Sequence, residues 1–155
     1  MPVSASDDRD TIRDLILSYG ARLDGGYLEQ VAELFVHATY RTDGTDVVLT
    51  GSAEVLQAQR YCVKIYEDGT PSTHHNITNI RVELEDGGTQ AGAWSYYTVI
   101  HHVPGEDPKI ILTGRYEDRF ENREGQWCWI DHLTFFDQVG DLSKHLHMDR
   151  IGLDF

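Results

Sequence analysis

The period of the hydrophobic positions changes along the chain, from a helical repeat in the first 60 residues or so to strand alternation after Gly69 and Pro71. Ile12, Leu15, Ile16, Tyr19 and Leu23 recur at three- and four-residue intervals, which predicts a helix with one apolar face. Asp7 or Asp8 suits its start, and Gly25-Gly26 stops it. Leu28, Val31, Leu34 and Phe35 mark a second, short helix. Asp24 therefore falls at a helix end beside a tight turn. Short extended pieces around 39–42 and 47–50 flank the turn-forming Asp43-Gly44. Ser52, after Gly51, is the expected cap of a third helix with Val55, Leu56 and Gln59 on one side.

Beyond Pro71, residues 77–84, 91–103, 109–122 and 127–136 read as strands, rich in β-branched and aromatic side chains. Turn residues join them at 85–88, 104–108 and 123–125. Helices followed by long strands predict an α+β domain, a curved mixed or antiparallel sheet wrapped as a cone around N-terminal helices. The 155 residues make one domain, with a core over about 10–146 and polar ends, residues 1–10 being expected to fray.

Alternation sorts the strand residues into faces. Ala91, Ala93, Ser95, Tyr97, Val99 and His101 share one face, and Leu112, Gly114, Tyr116, Asp118 and Phe120 share another. The small residues Ala91, Ala93 and Gly114 fit a concave face that leaves room for a ligand. Asp118 and Asp131 point inward by the same rule, so each needs a partner such as Arg41 or Arg115, or belongs to a site. Trp94, Tyr96 and Ile100 fall on the outer face, an apolar patch that predicts a homo-oligomer, dimer or trimer.

A net charge of −13 argues against nucleic acid and anionic membrane surfaces as partners, because both need clustered Lys and Arg. No run of about 18 apolar residues is present to span a bilayer, and no early run resembles a signal peptide. Cys62 and Cys128, without metal-type spacing, read as reduced thiols, and the expected location is the cytoplasm. Eight histidines raise the question of a metal. Adjacent strand residues face opposite ways, however, so His74-His75 and His101-His102 offer one ligand each at most, and no third ligand has fixed spacing. The cluster His145, His147 and Asp149 reads as part of a polar terminus. No phosphate loop or nucleophile signature appears, so no metal and no cofactor is expected.

The order of motifs resembles the SnoaL-like branch of the nuclear-transport-factor-2-like superfamily over roughly residues 10–146. The matching pieces are the opening helix from Tyr19 to Asp24, Leu34-Phe35, the stretch from Ala38 to Arg41, and Thr73-His74-His75 leading to Asn79. Gly114 to Phe120, Gly125 to Trp127, and the closing stretch from Asp137 to Ser143 follow. Members known as enzymes, among them scytalone dehydratase, bile-acid 7α-dehydratase and hexachlorocyclohexane dehydrochlorinase, are cofactor-free lyases with a catalytic Asp at the first helix end and a catalytic His at a strand start. The resemblance implies Asp24 and His75 (rather than His74) as that pair, with Tyr40 and His101 as further catalytic candidates. Tyr19, Tyr97, Tyr116 and Trp129 are the implied substrate contacts, and the tyrosine next to the dehydratase Asp is taken here by Tyr19, Tyr40 or Tyr97.

Read alone, Asp24 is a turn residue and His75 a backbone-satisfied polar residue. Read as a pair, they orient and charge-stabilise an imidazole that moves a proton. The expectation is a cofactor-independent lyase or isomerase, dehydratase-like or retro-aldol in type, acting on a small apolar molecule, aromatic or polycyclic. The alternatives are a non-catalytic small-molecule-binding or scaffold protein, and the small β-subunit of a ring-hydroxylating oxygenase.

Overall fold

The structure is a computed structural model that describes residues 4–151. Its elements are α1 (Ala5–Asp24), α2 (Leu28–Glu33), β1 (Thr39–Thr42), β2 (Val48–Thr50), α3 (Gly51–Cys62), β3 (Thr73–Glu85), β4 (Gln90–His101), β5 (Lys109–Arg123) and β6 (Gln126–Val139). The fold class is α+β, as expected.

Within the described residues, the start of the chain departs from expectation. Residues 5–10 are helical, because Ser4 and Asp7 form a reciprocal capping box that satisfies two backbone donors of the first turn. Asp8 then accepts a hydrogen bond from Trp127 Nε1 at 2.8 Å, tying this turn to β6. Residues 1–3 of the expected frayed stretch lie outside the described residues. At α3 the cap position is Thr50, not Ser52. Gly51 already belongs to the helix, and Glu54 reaches back to accept from the Thr50 backbone N–H at 2.7 Å.

The strands form one open, curved sheet in the order β2-β1-β6-β5-β4-β3, with β1 parallel to β6 and all other pairs antiparallel. The apolar face of α1 (Ile12, Ile16, Tyr19) and the α2 residues Val31 and Ala32, with Phe35 just beyond them, are buried in one core with Ala91, Ala93, Phe120 and Trp129 of the sheet.

Register shifts matter for the site. Opposite Arg119 and Phe120, β6 carries Asp131 and Trp129, so Ile130 is an extra residue. This bulge inverts the alternation. Trp127 and Trp129 point inward before it, His132 and Thr134 after it, and Asp131 is turned to Thr39 and Arg41 of β1.

The tail is not a polar terminus. Leu142 is buried, Leu146 packs against the core and bridges Val63, and Lys64 N–H donates to the His145 carbonyl at 2.9 Å. His147 N–H donates to the Cys62 carbonyl at 2.8 Å. Residues 142–147 therefore form a strap over the end of α3. Among the described residues no helix is long and apolar enough to cross a membrane.

Candidate active site

The site begins with a close approach of α1 to β3. A Cβ on Gly20 would stand 3.0 Å from Ile77 Cδ1 and 3.3 Å from His75 Cβ, so the bare glycine is what lets the helix lie against the strand there. One turn later, the helix ends at Asp24 directly against β3. A second glycine, Gly26, has φ +74° and passes so near Gly69 that a Cβ would meet its carbonyl oxygen at 2.0 Å. The turn after Asp24 is thereby held against the loop that leads into β3.

The Asp24 carboxylate accepts three hydrogen bonds from that strand. Thr73 Oγ1 donates to Oδ1 at 2.8 Å, the His75 backbone N–H donates to Oδ2 at 2.8 Å, and His75 Nδ1 lies 2.5 Å from Oδ1. Both members of the pair are largely shielded, with side-chain exposures of 9% for His75 and 19% for Asp24. With a carboxylate on Nδ1, the imidazole carries its proton there and leaves Nε2 as a base. His74, one residue earlier, is exposed on the other face of β3.

His75 opens onto a cavity of about 140 Å³ whose surface is mainly apolar. Leu23 and Leu28, Val63, Val99 and Leu112, and Phe136 supply the apolar lining, and Tyr19, Tyr40, Tyr97 and Tyr116 also reach it. Tyr19 and Tyr40 share a hydrogen bond of 3.0 Å between their hydroxyls. Burial pushes both phenols above their usual range, so they remain neutral donors. Tyr116 is raised for the same reason and stacks on Tyr97, ring centroids 4.3 Å apart.

Tyr97 lines the cavity, but its hydroxyl is already engaged. Its hydroxyl donates to the Phe135 carbonyl at 2.8 Å, across the space above Gly114. A Cβ on Gly114 would lie 1.9 Å from that carbonyl and 2.5 Å from the Tyr97 hydroxyl. The gap at Gly114 is therefore filled by Tyr97 and is not room for a ligand. Ala91 and Ala93 likewise belong to the packed core.

Two candidates stand outside the cavity, Trp129 and His101. Trp129 is fully buried between Phe35 and Phe120, and its indole N–H donates to Asp118 Oδ1 at 2.9 Å. His101 sits behind the strap, its ring 5.8 Å from Tyr66 and 5.6 Å from His145, and it faces an outer depression with Glu106 and Lys144. It is held there by the end of β4, where it pairs with Thr73 and Lys109 instead of reaching the cavity. Burial lowers its pKa.

Asp118 has neither Arg41 nor Arg115 as its partner. Arg41 forms a two-point pair with Asp131 and Arg115 one with Asp137, while Asp118 meets Trp129 and, at 2.6 Å, His132 Nδ1. This is a second Asp–His pair, fully buried behind Tyr19, Tyr40 and Tyr116. It does not line the cavity.

Thr73, Gln59, Thr134 and His145 are polar lining or supporting residues to which the sequence alone gave no site role. Thr73 was detectable, since it shares the face of His75 two residues away. His145 was obscured by the polar character of its neighbours. Its ring is almost wholly buried in the cavity wall, and burial, with the nearby His75 and His101, pushes its pKa down to about 3. Among the described residues no three His, Cys, Asp or Glu side chains are grouped to hold a metal ion.

The sequence profile of the SnoaL-like domain matches residues 4–133. Among solved structures, an NTF2-like protein with a cystatin-like fold from Novosphingobium aromaticivorans superposes with a TM-score of 0.70 at 21% identity, covering 84% of this chain and 82% of its own. A candidate scytalone dehydratase from the same organism gives 0.67 at 23% identity, with 85% of each chain covered. The β subunit of a candidate aromatic-ring-hydroxylating dioxygenase, again from that organism, gives 0.70 at 21%, covering 87% and 92%. No curated protein matches the chain by sequence. These identities speak to the fold alone, but the profile spans most of the chain, including α1, the Asp24 turn and the start of β3. With that match, the chain belongs to the SnoaL-like family, and its curved sheet built around N-terminal helices is a cystatin-like fold.

Proposed function

We propose that this protein is a cofactor-independent lyase or isomerase that moves a proton on a small, mainly apolar molecule. The observation that carries the reading is the Asp24–His75 pair, formed at 2.5 Å with its imidazole on the wall of an apolar cavity. His75 Nε2 takes a proton from a substrate carbon, and Asp24 stabilises the imidazolium that results. The electron pair left on carbon forms the new double bond and expels the leaving group, which takes a proton from the imidazolium or from a phenol. Tyr19 and Tyr40 offer hydrogen bonds where oxygen charge develops. What favours chemistry over a bare scaffold is that this hydrogen-bonded pair, unlike Asp118 and His132, has its imidazole on the cavity wall. The outer face bearing Trp94 and Tyr96 is the proposed homo-oligomer surface, and free Cys62 and Cys128 fit a reducing cytoplasm.

The test uses 5-nitrobenzisoxazole, which opens when a base removes the proton on C3 of its isoxazole ring: the N–O bond breaks and a coloured cyanonitrophenolate forms. His75→Ala should lower the rate on the order of 10²–10⁴-fold, the usual contribution of a positioned base, and Asp24→Asn should follow it while circular dichroism stays unchanged. Equal rates for the unaltered protein and both variants would refute the assignment.

A further inference from the structure

The cavity has two kinds of wall. On one side stand side chains of α1 and the sheet, among them Leu23, Val99, Leu112 and Phe136. On the other stand Val63, just past the end of α3, and Leu146 of the strap, which meet as a β-bridge. The strap is tied down through its backbone. The carbonyls of Ser143, Lys144 and His145 accept from Lys64 Nζ at 2.6 Å, the Tyr66 hydroxyl at 2.6 Å and the Lys64 N–H at 2.9 Å. The His147 N–H donates to the Cys62 carbonyl at 2.8 Å. None of these bonds uses the side chain of Val63 or Leu146. Both side chains are half-buried and line the cavity, so they shape it while the hydrogen bonds that seat the strap survive their truncation.

Size and charge limit what this wall admits. A cavity of about 140 Å³ is close to the roughly 150 Å³ apolar cavity that holds a single benzene. A second six-membered ring has to displace Val63 or Leu146, and overpacking of that kind is unfavourable. Truncating one leucine in a packed wall opens space on the scale of such a ring. As for charge, no Lys or Arg lines the cavity among the described residues. Burial keeps its tyrosines neutral, His145 is neutral with a pKa pushed down to about 3, and Asp24 sets a carboxylate behind His75. A carboxylate or phosphate on a ligand meets no cation there and lies near a like charge.

We infer that the site takes an uncharged molecule with one six-membered ring, and that Val63 and Leu146 set this limit. The inference rests on the proposed proton-transfer reading in taking this cavity as the substrate site. It narrows the aromatic or polycyclic class expected from the sequence to its smallest members. 5-Nitrobenzisoxazole, uncharged and with one six-membered ring, falls within that class. The binding claim itself needs no turnover.

The experiment titrates 4-fluorotoluene, 4-fluorobiphenyl and 4-fluorobenzoate into the protein and reads binding by ¹⁹F NMR. In an unrestricted apolar groove the biphenyl binds tightest, because its second ring buries more apolar area. The unaltered protein should instead prefer 4-fluorotoluene by at least about tenfold over each of the other two. Leu146→Ala should reverse the ring preference, binding the biphenyl at least about threefold tighter than the toluene. Val63→Ala should bring the two within about threefold of each other, and it carries the test if Leu146→Ala fails to fold. Leu84→Ala deletes the same atoms at a half-buried core position outside the cavity and should keep the unaltered preference, which separates an opened wall from a loosened fold. In the unaltered protein, tighter binding of the biphenyl, equal binding of the benzoate or no binding of the toluene overturns the inference. A ring preference unchanged in every folded wall variant, or relaxed equally in Leu84→Ala, also overturns it. Loss of benzisoxazole turnover with these preferences intact bears on the catalytic reading alone, so the two failures are distinguishable.

Discussion

Replacing His145 by Gln removes a titrating group from the pocket wall while keeping a polar side chain of similar reach. His145 is almost wholly buried, and its pKa in the folded protein is about 3 against an ordinary 6.5. The groups that bear on it are His75 and His101, which lower it further, and Asp24, which opposes them. A histidine with a lowered folded pKa is neutral when folded and protonated when unfolded at any pH between the two values. The unfolded chain then binds the extra proton, so stability is highest above about pH 6.5 and falls as pH drops toward about 3. The slope is about 1.4 kcal/mol per pH unit when one proton separates the states. Between about pH 6 and about pH 4, the unaltered protein should lose roughly 2–3 kcal/mol more than His145→Gln does. Urea unfolding at half-unit pH steps measures both curves, and the carboxylates common to the two proteins cancel in the difference. Parallel curves over this interval would show that His145 titrates freely and that the strap does not bury it.

Two further substitutions probe the architecture around the cavity. Gly114→Ala puts a Cβ within 1.9 Å of the Phe135 carbonyl and forces the Tyr97 hydroxyl from its hydrogen bond. A loss of about 2–3 kcal/mol and a melting temperature lower by roughly 5–10 °C should follow in a thermal scan, and an unchanged midpoint would mean that Tyr97 is not seated there. On the outer face, Tyr96 is 54% exposed beside Trp94, so Tyr96→Asp should convert an associated species to monomer in sedimentation equilibrium, whereas a monomeric unaltered protein removes the oligomer proposal.

How far the sequence could be read depended on whether local rules held. The α1 face, the turn after Asp24 and the inward rows of β4 and β5 were legible because each follows one period without interruption. The inward row of β6 was not. Counting by twos from Trp127 and Trp129 leads to Asp131, but the extra residue Ile130 moves His132 into the core and turns Asp131 toward Arg41. Nothing in the residue types around Ile130 marks a bulge, since no glycine stands there. The strap was hidden for another reason. Leu142, His145 and Leu146 show a helix-like spacing too short to stand out, and the strap that carries them is held at the end of α3, about 80 residues earlier in the chain.

The two Asp–His pairs show why a pair alone does not locate chemistry. Asp118 and His132 are as close as Asp24 and His75, at 2.6 Å against 2.5 Å, and are more deeply buried. What separates them is the free nitrogen. His132 Nε2 is enclosed by protein without a partner among the described residues, surrounded by the rings of Tyr19, Phe35, Tyr40 and Tyr116, where no substrate carbon can come. His75 lines the cavity, with its partner held at the helix end by two further donors. Access to the cavity, where Gly20 lets α1 lie against β3 and the strap forms part of the wall, is why the proposed proton-transfer role falls to Asp24 and His75. It leaves Asp118 and His132 a structural part, holding Trp129 and the tyrosine cluster in place.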